Sequence, residues 1–367
     1  MKEKKVDKFF LIIILFLISI GIAMFISASL GILVKNPNIF YSVLFSQLVL
    51  GLGVGSLGMY FALKIDYKFW RKYSFYIFLG SILLTAAVFI PNLGWSRLGA
   101  ERWLDLGFMR FQPAEILKFG FIIYFAAWLA WAKNKVQDFK FGILPLIIFL
   151  AIIATILFNQ PDTKSFILIA ITGISMLFIS GVSVKYIFFL GIISIIVLGT
   201  LVFFTPYLQE RVKTFIDPSQ DPQGSSYQIQ QSMIAIGSGG IFGRGYGQSI
   251  QKFSYLPEPQ GDSIFAVIGE ELGFFGGVGI IILYLLFVLR GLKIANNSPD
   301  LFSRLLVSGI VILITAQSFM NIASITGVFP LTGVPLVFIS HGGTSLMIDL
   351  IAIGIVLQIS KYQHKNN

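Results

Sequence analysis

The chain has 367 residues, 56% of them hydrophobic and only 12% charged, with a mean hydropathy of +0.84. That composition excludes a soluble globular domain. A net charge of +10 is compatible with nucleic-acid binding, but the basic residues cluster between apolar runs as a topology signal rather than forming a nucleic-acid footprint, and the absence of cysteine excludes disulfides and thiol chemistry.

A helix needs about 20 apolar residues to cross roughly 30 Å of hydrocarbon. Ten runs qualify, near 8–34, 42–63, 74–91, 112–132, 141–158, 163–180, 184–205, 263–289, 305–327 and 334–360. They are continuous rather than alternating, which argues against membrane β-strands. The predicted architecture is an all-α integral membrane protein, a bundle of ten transmembrane helices forming one polytopic domain over 1–367. The first run, preceded by MKEKKVDK, is longer than a signal-peptide core and is read as a retained span. With the N-terminus inside, Lys2, Lys4, Lys5 and Lys8, then Lys64, Lys68, Arg71 and Lys72, then Arg290, Lys293 and Arg304 fall on one side of the membrane. This excess predicts both termini in the cytoplasm.

Two connections are long, and both are predicted outside: about 91–111 and about 206–261. Loops of such length are more often functional than incidental. In the second, SSYQIQQSMIAI puts Tyr227, Met233 and Ile236 near one face of an amphipathic helix suited to the membrane interface. Gly240–Ser249 looks superficially like a nucleotide loop, yet no strand precedes it and no Gly-Lys-Ser/Thr follows. It is read as a flexible loop near the substrate, with no nucleotide. The only histidines are His341 and His364, and no metal-ligand spacing is present.

Ionisable groups inside spans usually face a cavity or one another. Glu115 and Lys118, at i,i+3 on the fourth run, either neutralise each other or form a cavity wall that grips a polar headgroup. Asp162 is placed to cap the sixth run. Asp349, in the last run, has no partner that the sequence can name. On a straight helix Glu270 lies about 12 Å from Asp262, turned by about 80°, and Glu271 by about 180°. The two glutamates are therefore read as packing groups that meet Lys118 or backbone donors. Asp262 stands at the mouth of the run; Gly-Asp-Ser before apolar residues reads as an N-cap, a position that favours a carboxylate over its neutral acid.

Four motifs, RWLDLGFMRFQPAEILKF, FNQPD, GRGYGQSIQKFSYLPEPQGDSIFAVIGEELGFFGG and TGVPLVFISHGGTSL, occur in this order. Together they resemble the SEDS family (shape, elongation, division and sporulation), which includes FtsW, RodA and SpoVE, and are most like its FtsW branch. The resemblance implies ten transmembrane helices and a peptidoglycan glycosyltransferase that polymerises lipid II at the outer face of the bacterial cytoplasmic membrane, at the division septum. It implies partnership with a class B penicillin-binding protein and other divisome membrane proteins, within membrane lipids and without nucleic acid. The family's essential acid falls on Asp262, its loop acid on Glu258, its ion pair on Glu115 and Lys118, and its Arg-Trp motif on Arg102. Ser340, Gly342 and Gly343 of the last motif are expected to contact substrate. A divalent cation, Mg²⁺ or Mn²⁺, is expected at Asp262, and Arg102, Arg244 and Lys252 are the candidate phosphate holders. A lipid II flippase and a scaffold for the crosslinking synthase are the alternatives. The chain departs from the family at Thr163-Lys164-Ser165, where Leu-Gly-Thr is common, at Ser263 and His341, and at Thr332, where some FtsW proteins carry Lys.

Overall fold

The structure, a computed structural model, describes residues 5–91, 93–97, 100–105, 107, 110–217 and 225–362. Lys2, Lys4 and His364 of the sequence argument lie outside them. Among the described residues, seven helices are long and apolar enough to cross a membrane: α1 (Lys8–Lys35), α2 (Pro37–Lys64), α4 (Pro113–Gln137), α7 (Val184–Phe204), α10 (Ile264–Asn296), α11 (Leu301–Ile325) and α12 (Gly343–Ser360). Three shorter apolar helices, α3 (Ser74–Phe89), α5 (Ile143–Asn159) and α6 (Thr163–Ile179), fall on the remaining predicted runs. The chain is an all-α, multi-pass membrane protein.

Its helices meet over small residues, as expected where apolar burial alone gives no preference for helix over lipid. Gly55 and Gly58 of α2 lie against Met347, Leu350 and Ile351 of α12, while Gly354 of α12 lies against Met59 and Ala62. A Cβ on Gly354 would stand 2.8 Å from that of Ala62, so the backbones approach where no larger side chain fits. The centre of the bundle is formed by α4, α11 and α12, most of whose residues are buried. By contrast α7 buries only Leu190 and presents aliphatic side chains outward.

The long segments hold more structure than their composition indicates. Residues 91–111 contain a three-stranded antiparallel sheet, β1 (Gly94–Arg97), β2 (Ala100–Asp105) and β3 (Arg110–Phe111). Arg110 closes it by pairing with Asp105 at 2.9 Å and stacking over Trp95 at 4.1 Å. The second segment holds α8 (Pro206–Ile216) and α9 (Ser225–Ser238). The buried stripe of α9 is Ser226, Ile229, Ser232 and Ala235, while Met233 and Ile234 point outward. Of the predicted face, Met233 points outward and Tyr227 is half-buried, while Ile236 packs on Gly269 where α9 meets α10.

The predicted last span is also corrected. Residues 334–342 are irregular, and helix begins only at Gly343. Irregular backbone inside a membrane bundle must find partners within the protein. It finds them in side chains: Asn321 donates to the Val334 carbonyl at 2.7 Å, Gln317 to Pro335 at 3.4 Å and Gln47 to Ser340 at 3.2 Å, while the Tyr284 hydroxyl donates to Val337.

Candidate functional site

Asp262 closes a turn at the head of α10, and the predicted cap is not formed. The N-cap is Ser263, and no backbone N–H of the first helical turn reaches the Asp262 carboxylate. Instead the Asp262 main-chain carbonyl is held by Asn321 of α11 at 2.8 Å. Its half-buried side chain is left to face Gly333 of the irregular segment.

Gly333 shows what gathers there. A Cβ built on it would lie 3.2 Å from Asp262 Oδ2, 3.9 Å from Arg211 Nη2 and 4.0 Å from Lys164 Nζ. One carboxylate and two cations thus surround one point, brought from α10, α8 and α6. No salt bridge closes between Asp262 and either cation among the described residues. Arg211 is anchored by donating to the Leu331 carbonyl at 2.6 Å and by stacking on Tyr207 at 4.4 Å. Lys164 donates to the Gly333 carbonyl. Burial pushes the Arg211 guanidinium below its usual pKa; Tyr207 and Asp262 oppose that shift, and nearby Arg102 adds to it. The shift does not threaten its charge, since arginine stays protonated at any physiological pH. Next to Gly333, the buried Thr332 hydroxyl has no partner.

Arg102 of β2 joins from the opposite loop. It donates to the Gln160 carbonyl at 3.0 Å and to Pro161, which fixes the turn that carries Asp162 and Lys164. Asp162 is fully buried and stands at the N-cap of α6 as expected, but its carboxylate takes side chains rather than a backbone N–H: Gln112 Nε2 at 3.1 Å and Ser165 Oγ at 2.7 Å.

A polar column supports the site from within. Lys118 pairs with Glu115 at 2.8 Å and donates to Gln317 at 2.7 Å, and Gln317 in turn holds Pro335. Ser345 donates to Glu115 at 3.0 Å and lies 3.4 Å from Asp349, which supplies the partner that Asp349 lacked in sequence. Glu115 and Lys118 are both buried and engaged by protein groups, so they brace the segment facing Asp262 rather than line an open wall.

Ser340, Gly342 and Gly343 also act on the frame. The buried Ser340 hydroxyl donates to the Gly261 carbonyl at 2.8 Å, directly before Asp262, and accepts from the Leu336 N–H. Gly342 N–H donates to Gln47 at 2.9 Å, and Gly343 lies on the Ser46 backbone, where a Cβ would clash. His341 stacks on Phe25 with ring centroids 5.7 Å apart and gives its main-chain N–H to the Gln260 carbonyl. Glu258, in the same turn, accepts from Gln260 at 3.3 Å.

Lys252 is the sequence expectation that changes most. It is no outward phosphate holder: its ammonium is fully buried, 2.7 Å from Glu271, and donates to Ser27 and to the Gly247 carbonyl. Glu270 and Glu271 do meet backbone donors, but neither meets Lys118: the cation beside Glu271 is Lys252 and the one beside Glu270 is Arg244. Glu271 accepts from the N–H groups of Gly247 and Ser249, and Glu270 from those of Ile250 and Gln251. Behind them Gly273 adopts φ +68°, which breaks α10. The freed carbonyls of Glu270 and Glu271 accept from Arg244 and Gly245, and the freed N–H groups of Phe274 and Phe275 donate to Gly240 and Ile241. Residues 240–252 are therefore a tied strap, not a flexible loop. Arg244 sits at its edge, partly exposed and 3.6 Å from Glu270.

Sequence reasoning passed over Arg211 and noted Lys164 only as a departure from the family. The signal for Lys164 was the pair of departures noted above. The ammonium missing near Thr332 arrives from another helix and binds the neighbouring Gly333 carbonyl. Gly333→Ala tests the crowding: with φ +65°, the new Cβ costs about 1–2 kcal/mol in backbone strain and presses on Asp262. The expected result is a small fall in melting temperature with a larger loss of activity. Gly327→Ala, at φ +72° beside Met233, is expected to lose stability alone.

Comparison with known proteins places this geometry. A family model covering FtsW, RodA and SpoVE, described as "cell cycle protein", matches residues 7–365. The stage V sporulation protein E of Bacillus subtilis (strain 168) is 38% identical over 98% of both chains. A "probable peptidoglycan glycosyltransferase FtsW" of Geobacter sp. (strain M18) is 37% identical over 96% of both. Among solved structures, a chain of a peptidoglycan synthase complex whose polymerization and crosslinking are structurally coordinated superposes with a TM-score of 0.80 at 25% identity, over 98% of this chain and 99% of that one. The rod shape determining protein RodA of Thermus thermophilus gives 0.72 at 24% identity over 98% of both and shows the shared fold. A match across nearly the whole length, with the four motifs converging on one mouth of the bundle, leaves one assignment: the chain belongs to the FtsW, RodA and SpoVE family of cell cycle proteins.

Proposed function

We propose that this protein is a peptidoglycan glycosyltransferase that polymerises lipid II. Relatives of about the same length and 37–38% identity carry that enzyme name, and the site has the chemistry for it. The observation that carries the reading is the convergence of Asp262, Arg211 and Lys164 on the space beside Gly333. Glycosyl transfer from a lipid diphosphate needs a base for the attacking hydroxyl and positive charge for the leaving group. In this reaction the 4-hydroxyl of lipid II forms a bond to the anomeric carbon of the growing glycan. The bond from that carbon to the diphosphate oxygen breaks, and the lipid diphosphate leaves with the electron pair. Asp262 takes the hydroxyl proton. Arg211 and Lys164 face the negative charge that develops on the diphosphate, and Arg102 holds the Lys164 turn in register.

The same reading places the Asp262 end at the outer face of the cytoplasmic membrane, with both termini in the cytoplasm and the protein at the septum. There it works beside a class B penicillin-binding protein and other divisome membrane proteins, the former supported by the likeness to a synthase complex. The experiment is polymerisation of lipid II by the purified protein, resolved as glycan ladders on a gel. Ladders are the expected result. Translocation of lipid II headgroups across liposomes with no ladder under any condition would establish the flippase instead.

A further inference from the structure

The donor set at Asp262 does not suit a divalent cation. Magnesium and manganese are held by oxygen, usually one or two carboxylates with water and phosphate. Here one carboxylate stands among nitrogen cations, and among the described residues no three His, Cys, Asp or Glu side chains are grouped to hold an ion. Glu258, the other acid of the turn, already accepts from Gln260. The neighbouring carbonyls are also engaged: Leu331 by Arg211, Gly333 by Lys164, Val334 and Asp262 by Asn321, and Pro335 by Gln317. An ion at this point would also meet two fixed like charges within about 4 Å of it, a repulsion that partial burial leaves poorly screened.

We propose that the Lys164 ammonium and the Arg211 guanidinium stand in for a divalent cation at this site, so that Asp262 works in this protein without a resident metal ion. The inference rests on the glycosyltransferase reading and concerns how its leaving group is neutralised. Lys164 is suited to the task because only one of its three N–H bonds is committed, to Gly333, and it stands at the first turn of α6 with its stem fixed by the Arg102-bound turn. Arg211 offers a planar fork, which pairs with phosphate oxygens two at a time. The two reach the point from different helices, so a diphosphate can lie between them with Asp262 beyond.

Two measurements on the full-length purified protein test this. The first is Mn²⁺ titration followed by electron paramagnetic resonance, without lipid II. Parent and Asp262→Asn are expected to bind Mn²⁺ alike; an Mn²⁺ site present in the parent and lost in Asp262→Asn overturns the inference. The second is lipid II polymerisation after chelation with EDTA. The parent is expected to keep its rate to within about threefold, less than 1 kcal/mol of barrier. In the same assay Lys164→Gln is expected to lose about a hundredfold and Lys164→Arg to retain most of the activity, which separates charge from folding. Loss in EDTA that Mg²⁺ restores overturns the inference while leaving the enzyme reading intact. Failure to polymerise with or without metal removes the enzyme reading and the inference with it.

Discussion

Asp262→Asn is expected to abolish glycan synthesis while the protein keeps its melting temperature in detergent. Asparagine keeps the size of the side chain and removes its basicity. Among the described residues the Asp262 carboxylate accepts no hydrogen bond and closes no salt bridge, so few folded-state interactions are lost. The contact that places the residue comes from its main chain, where Asn321 holds the carbonyl, and the substitution leaves that contact untouched. General base catalysis contributes about 10²–10⁴-fold, so the ladder is expected to vanish from an ordinary gel assay. An Asn variant that polymerises within a few-fold of the parent would show that Asp262 only shapes the turn, and the proton acceptor would have to be sought elsewhere. The scaffold alternative predicts that outcome, since recruiting a partner synthase needs no base.

The largest expected loss of stability is at Lys252→Met. It strips the counter-charge from Glu271, which is fully buried and also receives Ser27 and two strap N–H groups. Breaking a buried pair by removing one partner costs about 3–5 kcal/mol, because a desolvated charge is left behind. The unfolding midpoint of the purified protein should fall steeply, and residues 240–252 should become sensitive to protease. Adding Glu271→Gln to Lys252→Met should recover part of the loss, since the orphaned charge is then gone. If the single variant unfolds with the parent, Lys252 is not the keystone of the strap. In that case the backbone splice at Gly273 is sufficient to hold it.

The same three acids of α10 show how far a linear argument reaches. Angular bookkeeping on a helix correctly turns Glu270 and Glu271 away from Asp262, because periodicity is local. It also supplies backbone donors as their partners. It chooses the wrong cation, since Lys118 and Lys252 are equally plausible on paper and only the fold puts one of them 2.7 Å from Glu271. The break at Gly273 is invisible too: a glycine among apolar residues reads as helix until a second chain segment arrives to take the freed N–H and carbonyl groups. At the other end of the chain, residues 334–342 pass for membrane helix because hydropathy counts side chains. It takes no account of whether Asn321, Gln317 and Gln47 stand ready to satisfy an irregular backbone.

By itself the sequence determined the membrane class, the order and rough extent of the apolar helices, and the family. Those properties follow from local composition, from a period of 3.6 residues and from motifs that survive as strings. Tertiary structure alone decided that Asp262 is not a cap, that Ser340 and Lys252 serve the frame, and that Lys164 and Arg211 are at the site. Each of these depends on which carbonyl or carboxylate lies within about 3 Å of a donor far away in sequence. Such distances are set by packing helices over glycines, where a few tenths of an ångström separate contact from clash, and no one-dimensional pattern encodes them.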